Sequence, residues 1–255
     1  MSIARTRIIP ILLLRNESLV KTIQFGKFNY IGDPVNTVRI FNELEVDELM
    51  FLDILTTKER RNPNLKILRQ IANECFMPLC YGGGIKSIEQ AKLIFDIGFE
   101  KIAINSSAYQ NPQLITEISR MFGSQAVVVS IDVKTGFWGR RSVRTEAGLL
   151  NTKIDPINWA KEVERLGAGE ILLTSIQREG TWQGFDLELV KLVSNAVSIP
   201  IIANGGCGNI QDIKKVISYG KASAVGISSM VLYQKKGMGV VINFPDLIRE
   251  EINKN

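Results

Sequence analysis

Short apolar runs, β-branched or leucine-rich, alternate along this chain with longer stretches whose apolar positions recur at helical spacing. Eight such runs occupy residues 8–14, 48–54, 78–81, 101–105, 126–133, 170–175, 200–204 and 223–228. Runs this short predict buried strands, and their alternation with helices is the signature of repeated βα units and a parallel sheet. Residues 87–96 form one predicted helix, with Ile88, Ala91, Leu93, Ile94 and Phe95 making a broad apolar face. Four further helices are predicted to begin at Pro34, Pro63, Pro112 and Pro156, with Asp33, Asn62, Asn111 and Asp155 as N-caps. Proline lacks only an N–H that the first turn leaves unused, and Asp or Asn accepts from the amides left free there. Gly98, Gly123, Gly167 and Gly220 mark helix ends. No Ser-, Gly- or Pro-rich linker interrupts the pattern, so residues 1–255 are expected to form a single domain.

The two halves of the chain can be laid over each other at a spacing of 122 residues. Gly83-Gly84 then falls on Gly205-Gly206, Glu48 on Glu170, Ile88 on Ile210, Gly98 on Gly220, and Ser106-Ser107 on Ser228-Ser229. Four βα units duplicated make eight, and eight close into an α/β fold, a (β/α)8 TIM barrel built from two (βα)4 halves. Such barrels carry their chemistry just past the C-terminal ends of the strands, so those positions are the ones to search.

Composition narrows the chemistry. The chain contains no histidine, which removes the commonest general base near pH 7 and every Ser or Cys triad that depends on it. The net charge of +5 comes from basic residues scattered singly or in pairs, which argues against a nucleic-acid partner while still favouring anionic metabolites. Cys75, Cys80 and Cys207 form no CxxC pair, so neither a zinc site nor a disulfide framework is expected, and a reducing cytoplasm fits. The run at 8–14 follows Arg5 and Arg7 but leads into Arg15-Asn16-Glu17 without a small-residue cleavage site, so no leader is expected. No apolar run is long enough to span a membrane, and neither metal nor cofactor is expected.

At the strand ends, Gly82-Gly83-Gly84 and Gly205-Gly206-Cys207-Gly208 are joined by Ser106 and Ser228-Ser229. Glycine lets backbone N–H groups converge on an anion, a following helix N-terminus adds a favourable dipole, and the hydroxyls add donors. Tight barrel turns also need glycine for steric reasons alone, but the duplication of the whole constellation on opposite sides of one mouth points to a long substrate with a phosphate at each end, or to one ancestral site kept twice. Asp132 ends the fifth strand and is the candidate general acid or base, with a structural hydrogen-bonding role as the alternative. Aligning residues 9–15 with 128–134 places Leu13 opposite Asp132, so a hydrocarbon stands where a paired acid would sit.

Here the sequence resembles a family closely. RIIP (7–10), GDPV (32–35), FLDI (51–54), YGGGI (81–85), INSSA (104–108), FGSQAVVVSID (122–132), GAGEILLTSI (167–176) and GGCG (205–208) are similar to the cyclase subunit of imidazole glycerol phosphate synthase. The resemblance implies a barrel that receives ammonia from a partner glutaminase docked at its N-terminal face and passes it along the axis to a phosphorylated substrate at the far mouth. It implies a gate of Arg7, Glu48, Lys101 and Glu170, although four such charges could equally plug the barrel as ion pairs. The catalytic pair of that family maps onto Leu13 and Asp132, so one acid is missing. Gln177 and Glu179 stand where the biosynthetic cyclase typically has Asp.

Residues 10–14, 19–22, 74–78 and 242–245 look like a paralogous branch associated with acetamidino modification of bacterial surface sugars. That branch implies a further partner, a PP-loop ATP-dependent amidotransferase, and a nucleotide-activated sugar as acceptor. The expected substrate and phosphate contacts are Lys21, Gly83, Gly84, Asn105, Ser106, Thr174, Gly205, Gly206, Ser228 and Ser229. Lys21 is read as a phosphate clamp or a solvated surface lysine, and Asp53 and Asn105 as shapers of the mouth. Trp138 and Trp182 are read first as loop packing, then as stacking platforms. Two other functions fit the same residues: a histidine-pathway cyclase impaired by Leu13, and a non-catalytic scaffold that docks a glutaminase.

Overall fold

The computed structural model describes residues 6–244. In chain order its elements are β1 (Arg7–Arg15), β2 (Ser18–Thr22), β3 (Phe28–Gly32), α1 (Pro34–Glu43), β4 (Leu49–Asp53), α2 (Leu65–Glu74), β5 (Leu79–Gly82), α3 (Ile88–Ile97), β6 (Lys101–Ile104), α4 (Ser106–Gln110), α5 (Gln113–Phe122), β7 (Val127–Thr135), β8 (Arg141–Thr145), β9 (Leu150–Asn151), α6 (Pro156–Arg165), β10 (Glu170–Ser175), α7 (Leu187–Ser194), β11 (Ile201–Asn204), α8 (Ile210–Ser218), β12 (Ala224–Ile227) and α9 (Ser229–Leu232). Strands β10, β11, β12, β1, β4, β5, β6 and β7 pair in that order, all parallel, and pairing of β7 with β10 closes the ring. The eight predicted runs are these eight strands, and the fold is the (β/α)8 barrel.

Because side chains alternate across a strand, each barrel strand faces one set inward and the other toward the helices. Ile9, Ile11, Met50, Cys80, Ala103, Val128, Leu172, Ile202 and Ala224 fill the bore, with Leu13 and Leu52 against them at the top. The opposite faces pack on the helical ring through a larger cluster that includes Phe41, Leu68, Ile94, Ile118, Val163, Val193 and Val216. None of the helices among the described residues is long and apolar enough to cross a membrane.

The duplication is visible in the helix starts. Asp33 and Asp155 cap α1 and α6, Asn64 and Asp186 cap α2 and α7, and Ser87 and Asn209 cap α3 and α8, each pair separated by the 122-residue offset. Two expected starts are corrected. The cap of α2 is Asn64, whose Oδ1 accepts from the amides of Lys66 and Ile67, so Asn62 and Pro63 lie outside the helix. Pro112 itself holds the cap position of α5, while Asn111 ends α4.

Four antiparallel pairings on the mouth side were not predicted. β2 folds back on β1 across Asn16-Glu17 and pairs with β3, and β8 folds back on β7 across residues 136–140 and pairs with β9. These excursions rise from the C-terminal ends of β1 and β7, the first strands of the two halves, and frame the mouth.

Candidate active site

The N-terminal end of the bore is closed by a ring of charge. Arg7 donates to Glu48 Oε2 and Glu170 Oε1, both at 2.7 Å, and Lys101 Nζ lies 3.0 Å from Glu48 Oε2 and 3.3 Å from Glu170 Oε2. Each cation therefore bridges both carboxylates, a more closed arrangement than two separate ion pairs. Burial opposes the charge on Arg7, and the two glutamates more than restore it, so its pKa is raised. Immediately above, Cys80 lies in the apolar bore, where burial keeps its thiol protonated.

At the other end a cavity of about 520 Å³ opens at the C-terminal mouth. Asp132 and all ten expected substrate or phosphate contacts line it. Leu13 lines it too, so the hydrocarbon and the acid share one chamber.

Asp132 is positioned by the pleat of β7, which turns Val128, Ser130 and Asp132 to the interior. Asn105 Nδ2 donates to Asp132 Oδ2 at 3.1 Å and to the Ser130 carbonyl at 3.0 Å. The Ser130 hydroxyl sits 3.4 Å from Oδ1, and Thr174, which accepts from Asn204 Nδ2 at 3.0 Å, hydrogen-bonds the carboxyl from β10. Burial pushes the Asp132 carboxyl up to about 7, against the downward pull of Ser130 and Thr174. The group can therefore give or take a proton near neutrality. Ser130 and Asn204 were missed by sequence reasoning, although both sit two residues beyond bore residues on their strands, a period-2 signal available from the start.

The glycine turns are sterically obligatory as well as open to an anion. A Cβ on Gly83, which has φ +130°, would lie 2.7 Å from the Asp53 carbonyl, and one on Gly206, φ +108°, would lie 2.2 Å from the Gly184 carbonyl. Beside them α4 and α9 start at the cavity wall, and no side chain caps either helix. The Ser228 hydroxyl is buried without a hydrogen-bond partner among the described residues. Free amides and an unspent hydroxyl on a glycine-lined wall can bind a phosphate.

Lys21 is neither a free clamp nor a solvated side chain. It is buried on β2 against Glu179 and also donates to the Thr22 carbonyl at 2.8 Å. Burial pushes its ammonium down to about 7. Glu179 also accepts from the Phe25 amide, and Gln24 Nε2 donates to the Gln177 carbonyl, so the first hairpin is tied to the loop after β10. Asp53 works within its own loop, accepting from the amides of Leu55 and Thr56 and from Arg61. Trp138 is 91% exposed, so the loop-packing expectation for it fails: its ring contact is Phe137, at 5.5 Å. Of the residues 242–245 singled out in the sequence, Pro245 lies outside the described residues.

Comparison with known proteins places this geometry. The family described as "Histidine biosynthesis protein" matches residues 7–237. A Pseudomonas aeruginosa protein provisionally named imidazole glycerol phosphate synthase subunit hisF2 is 45% identical over 97% of this chain and 99% of its own. A Leptospira borgpetersenii protein provisionally named as the HisF subunit is 46% identical over 95% and 96%. The imidazole glycerol phosphate synthase subunit HisF of Alkaliphilus metalliredigens is 44% identical over 90% and 91%. With the closed barrel, the charged ring at one end and the acid-bearing cavity at the other, these matches show that the chain belongs to the histidine-biosynthesis barrel family, as a HisF-like cyclase subunit.

Proposed function

We propose that the protein is the barrel subunit of a cytoplasmic, glutamine-dependent amidotransferase system that serves surface-glycan synthesis and not histidine synthesis. A glutaminase docks at the N-terminal face. Neutral ammonia enters when the Arg7, Glu48, Lys101, Glu170 ring opens, and it travels the apolar bore past Cys80 and Met50 to the mouth. The acceptor is a phosphorylated or nucleotide-activated sugar. Its phosphates are held by Gly83, Gly84 and Ser106 on one side and by Gly205, Gly206, Ser228 and Ser229 on the other, with Lys21, Asn105 and Thr174 completing the wall. A PP-loop ATP-dependent amidotransferase activates the acetamido group that ammonia converts to an acetamidino group, and Asp132 handles the proton at the mouth.

The observation that carries this reading is Leu13 in the cavity wall, in the chamber that holds Asp132. General acid or base groups contribute roughly 100- to 10,000-fold each, so a cyclization that uses two acids loses most of its rate when one is a leucine. The test is to assay the purified protein with its glutaminase for imidazole glycerol phosphate and to complement a strain lacking the biosynthetic cyclase. Both should fail. Robust cyclization or full complementation would sink the proposal.

A second reading, a histidine-pathway cyclase working with Asp132 alone, draws support from the near-neutral Asp132 and from the Alkaliphilus relative's name. Leu13→Asp decides it: a large gain in cyclization would mean that the rest of the site is competent for that substrate.

A further inference from the structure

The hairpins at the mouth carry a concentration of exposed apolar surface that the barrel does not use. Ile23, Phe28 and Tyr30 stand on the β2–β3 hairpin, Phe137 and Trp138 on the β7–β8 turn, and Leu149 and Leu150 on the β8–β9 turn. Phe137 is 97% exposed and is stacked edge-on only with Trp138. Phe28 and Leu149 also line the cavity, so this apolar crown is continuous with the mouth.

The two halves show that the aromatic turn is an addition. β1 returns to β2 through two residues, Asn16 and Glu17, whereas β7 returns to β8 through five, residues 136–140. In register with this, the offset between halves rises from 119 at Leu13 and Asp132 to 122 at Asp33 and Asp155. The first half folds the same hairpin without the extra residues, so they serve something other than the barrel. Large exposed apolar surface of this kind marks contact with another molecule.

Charge says what kind. Lys27, Lys58, Lys86, Lys134 and Arg140 are exposed around the crown, and none has a carboxylate partner within ion-pair distance among the described residues. A second copy of this chain set crown to crown would oppose cation to cation. We infer that the C-terminal rim is a docking surface for a protein with an apolar, acidic face, the acceptor enzyme that takes ammonia at the mouth, and that Phe137 and Trp138 anchor it. This rests on the ammonia-delivery reading above and adds where the second partner sits: on the face opposite the glutaminase. Buried aromatic anchors in a charge-matched rim are the usual centre of such interfaces.

The experiment reconstitutes the full chain with its glutaminase and the PP-loop amidotransferase and compares wild type with Phe137→Ser/Trp138→Ser. Sugar amidination is driven either by glutamine or by added ammonium chloride, and amidotransferase binding is followed by sedimentation at low and high salt. The double variant should bind the amidotransferase at least about 30-fold more weakly and lose glutamine-driven amidination. It should keep ammonium-driven amidination and unchanged glutaminase activity. Wild-type binding should weaken with salt. Failure of wild type to support glutamine-driven amidination would refute the functional reading itself. Amidination by wild type together with an indifferent double variant would refute only the docking surface. Self-association of the chain lost in the variant, or binding of the rim to phosphatidylcholine–phosphatidylserine vesicles in place of the enzyme, would also overturn it.

Discussion

At the N-terminal end of the barrel, four charges share one layer, and both oxygens of Glu48 and of Glu170 have a cationic donor. At the C-terminal end Asp132 is held by an amide and two hydroxyls and, among the described residues, by no cation, while the other carboxyls of that mouth, Asp53 and Glu179, pair with Arg61 and Lys21. Both ends bury ionizable groups, but the ring sets cations against each of its carboxylates, whereas Asp132 meets only neutral donors. Mutual pairing holds the ring closed. Neutral donors alone do not offset desolvation, so Asp132 is left to titrate near pH 7. The two ends differ because of what stands opposite each carboxylate: cations in the ring, neutral donors at Asp132.

The contrast is broken most severely by Glu48→Ala. Removing a carboxylate that serves both Arg7 and Lys101 leaves two cations to share Glu170 alone, and breaking a buried pair in this way typically costs about 3–5 kcal/mol. Urea unfolding should show that loss; a change under about 1 kcal/mol would mean the ring is solvated and not a plug.

Asp132→Asn tests the other end through pH. With its carboxyl raised to about 7, the folded protein keeps a proton that the unfolded chain has already lost above roughly pH 4. Stability from this group is thus fully present at low pH and declines as pH rises toward 7, by up to about 1.4 kcal/mol per pH unit. Above 7 the decline stops. The asparagine variant lacks this slope, so its advantage over wild type should grow from pH 5 to pH 8 in parallel urea melts. Superimposable pH profiles would show that Asp132 is ionized throughout.

The smallest effect belongs to a site remote from both ends. Asp155 accepts from the amides of Ile157 and Asn158 at the start of α6, and Asp155→Ala should cost about 1 kcal/mol. Its effect should be independent of any change at Glu48 or Asp132, a point that double variants measured by thermal melting can check.

The strands were legible because short apolar runs bounded by turns have few other uses, and the barrel was legible because those runs repeat at a fixed offset. The same offset held the correct start of α2: Asp186-Leu187 in the second half lies 122 residues beyond Asn64-Leu65. Proline at 63 drew the reading to the wrong cap, since the preference for proline in the first turn is strong but not exclusive. The hairpins were illegible for a different reason. Segments such as Arg141–Thr145 mix polar and apolar residues without a continuous core face, and they become strands by pairing to a neighbour already in place.

The sequence by itself determined the fold, the residues at each strand end and the leucine opposite Asp132, because these follow from local periodicity and an internal repeat, while the charged ring was implied by the family resemblance. The tertiary structure decided which of them touch. Lys21 and Glu179 are 158 positions apart, and Asp132 meets Thr174 only because β7 and β10 close the ring. Burial, not residue type, turned Asp132 into a group that titrates near neutrality, and burial is a property of the closed barrel, to which every strand contributes.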